Sequence, residues 1–141
     1  MNSAKEYLQQ VKSCETRIKR IREKLQNLED QVQKITPLLS PSGGGGGGKD
    51  PLGDAVAGIA DLKKILAEET VHYNTIKAEV EDLLGKIEKK NMREVLINRY
   101  LRYHSWRRIA DEMHYTKDGT LKLHRRALNV VERLLTEKVS T

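Results

Sequence analysis

The side chains in this sequence best equipped for chemistry are cations, and they crowd into its last third. Residues 91–141 hold 11 of the 26 Lys and Arg residues against 6 of the 20 Asp and Glu, while residues 1–90 are nearly neutral. Within that third, Lys117, Lys122, Arg125 and Arg126 fall on the polar faces of one amphipathic stretch. Its apolar stripe is Leu123, Ala127, Leu128, Val131 and Leu134. A basic module on a chain of net charge +6 suits a polyanion, with nucleic acid ahead of a membrane surface.

Other chemistries lack their parts. Of His72, His104, His114 and His124, the last three stand ten residues apart, and Cys14 is the one cysteine, so no zinc spacing emerges and no metal or cofactor is expected. Cys14 reads as a small buried thiol on a helix seam. No nucleophile has a base within a recognisable pattern, and no paired carboxylates stand in an apolar setting, so the protein is not expected to be an enzyme. Gly43 to Lys49 matches most of a phosphate-binding loop. Asp50, however, stands where a magnesium-holding Ser or Thr would be, no strand precedes the run, and Pro51 follows. Met1 to Lys12 carries no apolar secretory run. Nothing approaches the roughly 18 apolar residues of a membrane span. A soluble, cytoplasmic protein is expected.

Short helices must position the cations. Met92 to about Arg102 reads as one, with Val95, Leu96 and Tyr100 inward. Ser105 can cap a second, Trp106 to Met113, with Ile109, Ala110 and Met113 on one face. His114 and Tyr115 then turn the chain, and Thr116 can cap a third helix from Lys117 to about Glu137. Two capped helices around a tight turn form the helix-turn-helix plan. Ala110 is small enough for a close crossing, and Ile109, Met113 and Leu123 fill the space between. In that plan the second helix presents its first turns to the major groove, where its dipole also favours phosphate.

The preceding sequence is a different kind of helix. Ala4, Val11, Ile18, Leu25 and Val32 share one seam, and Tyr7, Cys14, Ile21, Leu28 and Ile35 share its partner. After an interruption, Ile59, Leu66, Tyr73, Val80 and Ile87 resume the pattern beside Leu62, Ile76 and Leu83, with Glu69 breaking the second seam. Such sustained heptads predict two coiled-coil helices, the first about 50 Å long. All three prolines and a run of six glycines lie between them, predicting a flexible connector over residues 37–53. Asp54 is a plausible cap for the second helix, which should run to about Lys89. Only 4% of residues are aromatic and 33% are charged, which disfavours a β-sandwich or barrel core.

Several motifs carry a resemblance. Arg99-Tyr100-Leu101, Ser105-Trp106-Arg107-x-Ile109-Ala110, Tyr115-Thr116 and Leu123-His124-x-x-Ala127-Leu128 make residues 91–135 similar to region four of bacterial sigma factors. With Asp54-Ala-Val-Ala-Gly-Ile59 and the interrupted hairpin, the wider chain resembles phage-encoded late-gene transcription regulators of the ArpU and RinA kind. The resemblance is specific over the last 45 or so residues and looser before them. It implies DNA contacts from Lys117, Asp118 and Lys122, since lysine donates to guanine and aspartate accepts from cytosine. It places Arg107, Arg108, Arg125 and Arg126 on phosphates. Thr116, Thr120 and Leu121 complete the expected contact set. Gly119 and Leu121 depart from the pattern, because the family places long polar or basic residues there. Leu121 could touch a thymine methyl or a protein partner.

The expectation is therefore an all-α protein. A long antiparallel helical hairpin, residues 1–90, precedes a three-helix helix-turn-helix module, residues 91–141. It would regulate phage transcription by binding double-stranded DNA, with its hairpin forming a homodimer or higher oligomer or gripping bacterial RNA polymerase. Two alternatives remain: a small terminase-like DNA-packaging subunit, and a coiled-coil adaptor that contacts protein only.

Overall fold

The structure, a computed structural model, describes residues 3–38 and 50–140, and the glycine run with its phosphate-loop resemblance lies outside them. Among the described residues the chain is all-helical, with five α-helices and no strand. The helices are α1 (Ser3–Ile35), α2 (Pro51–Gly85), α3 (Lys90–Leu96), α4 (Trp106–Met113) and α5 (Lys117–Ser140). A 3-10 turn, Thr36–Leu38, follows α1, and a π-helical turn, Ile97–Leu101, follows α3.

Packing divides the chain into two compact units, one of residues 1–13 with 73–141 and one of residues 14–72. Composition changes near residue 90, whereas packing changes near residues 13 and 73. In the first unit, Ala4, Leu8 and Val11 of α1 and Val80, Leu83 and Leu84 of α2 share a core with Met92, Val95, Leu96, Tyr100, Ile109, Leu123, Ala127, Leu128 and Val131. Leu8 lies off the two predicted seams yet has no exposed surface. Its burial widens the apolar face of α1 here beyond a coiled-coil stripe. The start of α1 is fixed by α5: the Glu132 carboxylate accepts from the Ala4 amide at 2.9 Å and from the Ser3 hydroxyl. An acidic group at a helix N-terminus also opposes the helix dipole favourably.

In the second unit the seam residues Leu25, Leu28, Val32, Ile59, Leu62 and Leu66 are half-buried, and Cys14, Ile18 and Ala55 are buried. Arg17 pairs with Glu69 at 3.4 Å, so the residue that breaks the seam has a cationic partner. A Cβ added to Gly58 would lie 3.1 Å from Leu28 Cδ1, a close approach between the helices that glycine permits. These two contacts rise along α1 as they fall along α2, so the helices run antiparallel within this unit.

Three boundaries differ from expectation. Helix α2 begins at Pro51, inside the predicted connector, and its cap is Asp50, not Asp54. The Asp50 carboxylate accepts from the Gly53 amide at 2.9 Å, and Pro51 occupies the first helical position, where no amide partner is needed. A Cβ on Gly53 would collide with that carboxylate. Helix α2 also ends at Gly85, short of Lys89. The Arg93 guanidinium donates to the Ile87 carbonyl at 2.9 Å and holds the turn into α3. The predicted helix to Arg102 passes into the π turn instead, where the Arg102 amide reaches back to the Ile97 carbonyl at 3.0 Å. Buried Asn98 sits in that turn and accepts from Arg102 at 3.0 Å.

Candidate nucleic-acid interface

The local signals around α4 and α5 fold as their chemistry dictates. Ser105 is extended, and its hydroxyl accepts from the Arg108 amide at 3.2 Å. Helix α4 ends at His114, which takes the left-handed conformation at φ 60° and ψ 39°, and the Tyr115 amide returns to the Ala110 carbonyl at 2.9 Å. Thr116 caps α5, its hydroxyl accepting from the Gly119 amide at 3.0 Å. A Cβ on Gly119 would stand 3.0 Å from that hydroxyl, so the absence of a side chain there leaves the cap unhindered.

Beneath α5 lies an aromatic layer. His124 is 7% exposed, shares a 2.7 Å hydrogen bond with the Tyr100 hydroxyl, and meets the Trp106 ring edge-on at 4.6 Å. Arg99 lies over the other partner of that contact, 4.4 Å from the Trp106 ring centre, and donates to the His104 carbonyl at 3.1 Å. Burial, with Lys5 and Arg99 nearby, pushes His124 down to about 4, so its ring is neutral at pH 7. Burial likewise raises the Tyr100 phenol above its usual range. His124 is thus a packing residue, with little surface left for a phosphate.

Burial sorts the expected contact residues. Arg107, Arg108, Thr116, Lys117, Asp118, Lys122, Arg125 and Arg126 are exposed, and Leu121 is half-buried. Thr120 is a correction. It has no exposed surface, and its hydroxyl donates to the Thr116 carbonyl at 2.9 Å. It lies one turn before Leu123 and His124 on the buried stripe, so it holds α5 against the core rather than touching a ligand. Arg108 is exposed but engaged by Glu112 at 2.8 Å. That hydrogen bond, with His104 behind it, keeps the Glu112 carboxyl below its usual range. Among the described residues, Lys117, Lys122, Arg125 and Arg126 have no such carboxylate partner.

Two further residues join this surface, Tyr115 from the turn and Asn91 from α3. Asn91 and Tyr115 line an open cavity of about 380 Å³ with Thr116, Gly119, Lys122, Leu123 and Arg126, and the Asn91 amide donates to the Tyr115 hydroxyl at 3.2 Å. Asn91 lies 24 residues before Tyr115, and only the packing of α3 on α5 brings it there. No sequence signal marks that approach. Among the described residues no three His, Cys, Asp or Glu side chains cluster to hold a metal. No described helix is long and apolar enough to cross a membrane. Comparison with family models, with curated proteins and with solved structures finds no match to this chain.

Proposed function

We propose that residues 91–140 bind duplex DNA as a helix-turn-helix module, with the first turns of α5 in the major groove. One observation carries this reading. Lys122, Arg125 and Arg126 stand exposed on one side of α5, without a carboxylate partner among the described residues, while Thr120, Leu123, His124, Ala127 and Leu128 on the other side are buried. A row of unpaired cations on a rigidly backed helix releases counterions when it meets phosphates, which supplies affinity without sequence preference. Lys117 and Asp118 in the first turn are the base-reading candidates, and Arg107 at the start of α4 is a further phosphate contact.

In this reading the protein is a phage transcription regulator, acting on late genes and similar in plan to the ArpU and RinA group. Its α1 and α2 form an antiparallel hairpin that either joins copies of the chain or grips bacterial RNA polymerase. One small module buries limited surface on DNA, so joined copies on doubled sites would raise affinity by avidity.

The test is a target selected from random duplexes, followed by binding to that target and to unrelated DNA. Lys117→Ala should weaken the selected complex by about 1–3 kcal/mol and unrelated DNA much less. Arg126→Ala should weaken both equally. Equal effects from the two changes would undo the division of roles, and the absence of DNA binding would end the proposal.

A further inference from the structure

A second cavity opens on the same flank of α5, beyond the proposed DNA face. It measures about 320 Å³. Ile87, Met92, Val130 and Leu134 form its floor, and Lys86, Lys89 and Arg133 stand on its rim with Glu88. Ile87 and Met92 are already packed into the core, while Val130 and Leu134 are only partly covered. The rim cations are exposed, and among the described residues none of them pairs with a carboxylate. An apolar trough with three cations to one anion around it therefore lies between the turn into α3 and the second half of α5.

We propose that this groove docks an acidic amphipathic helix of a protein partner. The floor would take apolar side chains spaced at i, i+3 and i+7, the arrangement a helix presents when laid along a groove. The space suits two or three aliphatic side chains. The rim selects the flanking charges: carboxylates beside the apolar stripe would meet Lys86, Lys89 and Arg133, whereas a basic helix would be repelled. Duplex DNA matches the rim but gains nothing from an apolar floor. Val130 lies one helical turn beyond Arg126, so a docked helix would leave the first turns of α5 open. The groove stands independently of the DNA reading, since its shape and charge do not involve Lys117 or Arg125.

The experiment measures fluorescence anisotropy of a labelled synthetic peptide of about 18 residues, five helical turns, with leucines at the stated spacing flanked by glutamates. Two controls replace its leucines by serine or its glutamates by lysine. The full protein, without DNA, should bind the first peptide and neither control. Lys89→Glu with Arg133→Glu should weaken that binding at least about tenfold while leaving thermal unfolding unchanged, both residues being exposed. Failure to bind the acidic peptide, binding of the serine control, or indifference to the charge reversal would overturn the proposal. If the reversal instead lowered DNA affinity as much as Arg125→Glu, the groove would belong to the duplex. If it dissolved self-association seen by sedimentation, a second copy of the chain would be the occupant. Either result also rejects the proposal.

Discussion

His114 takes a backbone conformation that glycine adopts without strain, at a helix end where glycine is the usual choice. His114→Gly should raise stability by roughly 0.5–1 kcal/mol, read from the urea midpoint, because relief of the left-handed strain outweighs the added chain entropy. A lower midpoint would mean that the imidazole makes a contact worth more than the strain. His124 gives a pH signature instead. Its folded value of about 4 lies below the ordinary 6.5. Between those values the unfolded chain takes up a proton that the folded one refuses. Stability from this group is therefore full above about pH 6.5, declines as pH falls, and is gone below about pH 4. The loss should be on the order of 1–3 kcal/mol, and a His124→Phe variant should show a flatter decline. Ser105 and Thr116 were legible as caps because a cap is a local arrangement of one side chain and an amide three residues on. The expected contact set puts Thr120 on an exposed face. Its spacing to Leu123, His124 and Ala127 places it on the buried one.

At the scale of elements, periodicity revealed α1 and α2, and polar punctuation revealed α4 and α5. Boundaries set by non-local packing were harder to see. The heptad pattern runs through Ile87, yet α2 ends at Gly85, and Ile87 reaches the core from the turn. The π turn after α3 has no sequence signature that separates it from a continuing helix. Leu8 shows the same limit: a pattern of two seams cannot announce a third apolar position that joins the shared core. Leu8→Ala should therefore cost about 2–5 kcal/mol. Leu25→Ala, at a half-buried seam position, should cost less than half as much. Equal losses would show that the two stretches of α1 are packed alike. Asp50→Ala should cost about 1 kcal/mol through the lost cap, whereas Asp54→Ala should be near neutral.

At the scale of the whole molecule, charge is segregated rather than spread. Nearly all of the net +6 lies in residues 91–141, on the module in which buried Tyr100 and His124 pack with half-buried Trp106. The fold class was readable from composition and periodicity. The candidate interface was readable only in part, since charge named the cations and the motif named Tyr115, but Asn91 came to them through packing. The central claim is that these cations meet the phosphates of a duplex. Its most direct test is the affinity of the full protein for duplex DNA across a series of salt concentrations, compared with a variant carrying Arg125→Ala and Arg126→Ala. Affinity should fall steeply with salt in the parent protein, with a logarithmic slope shallower by about 2 in the variant. Affinity that ignores salt, or an unchanged slope in the variant, would contradict it.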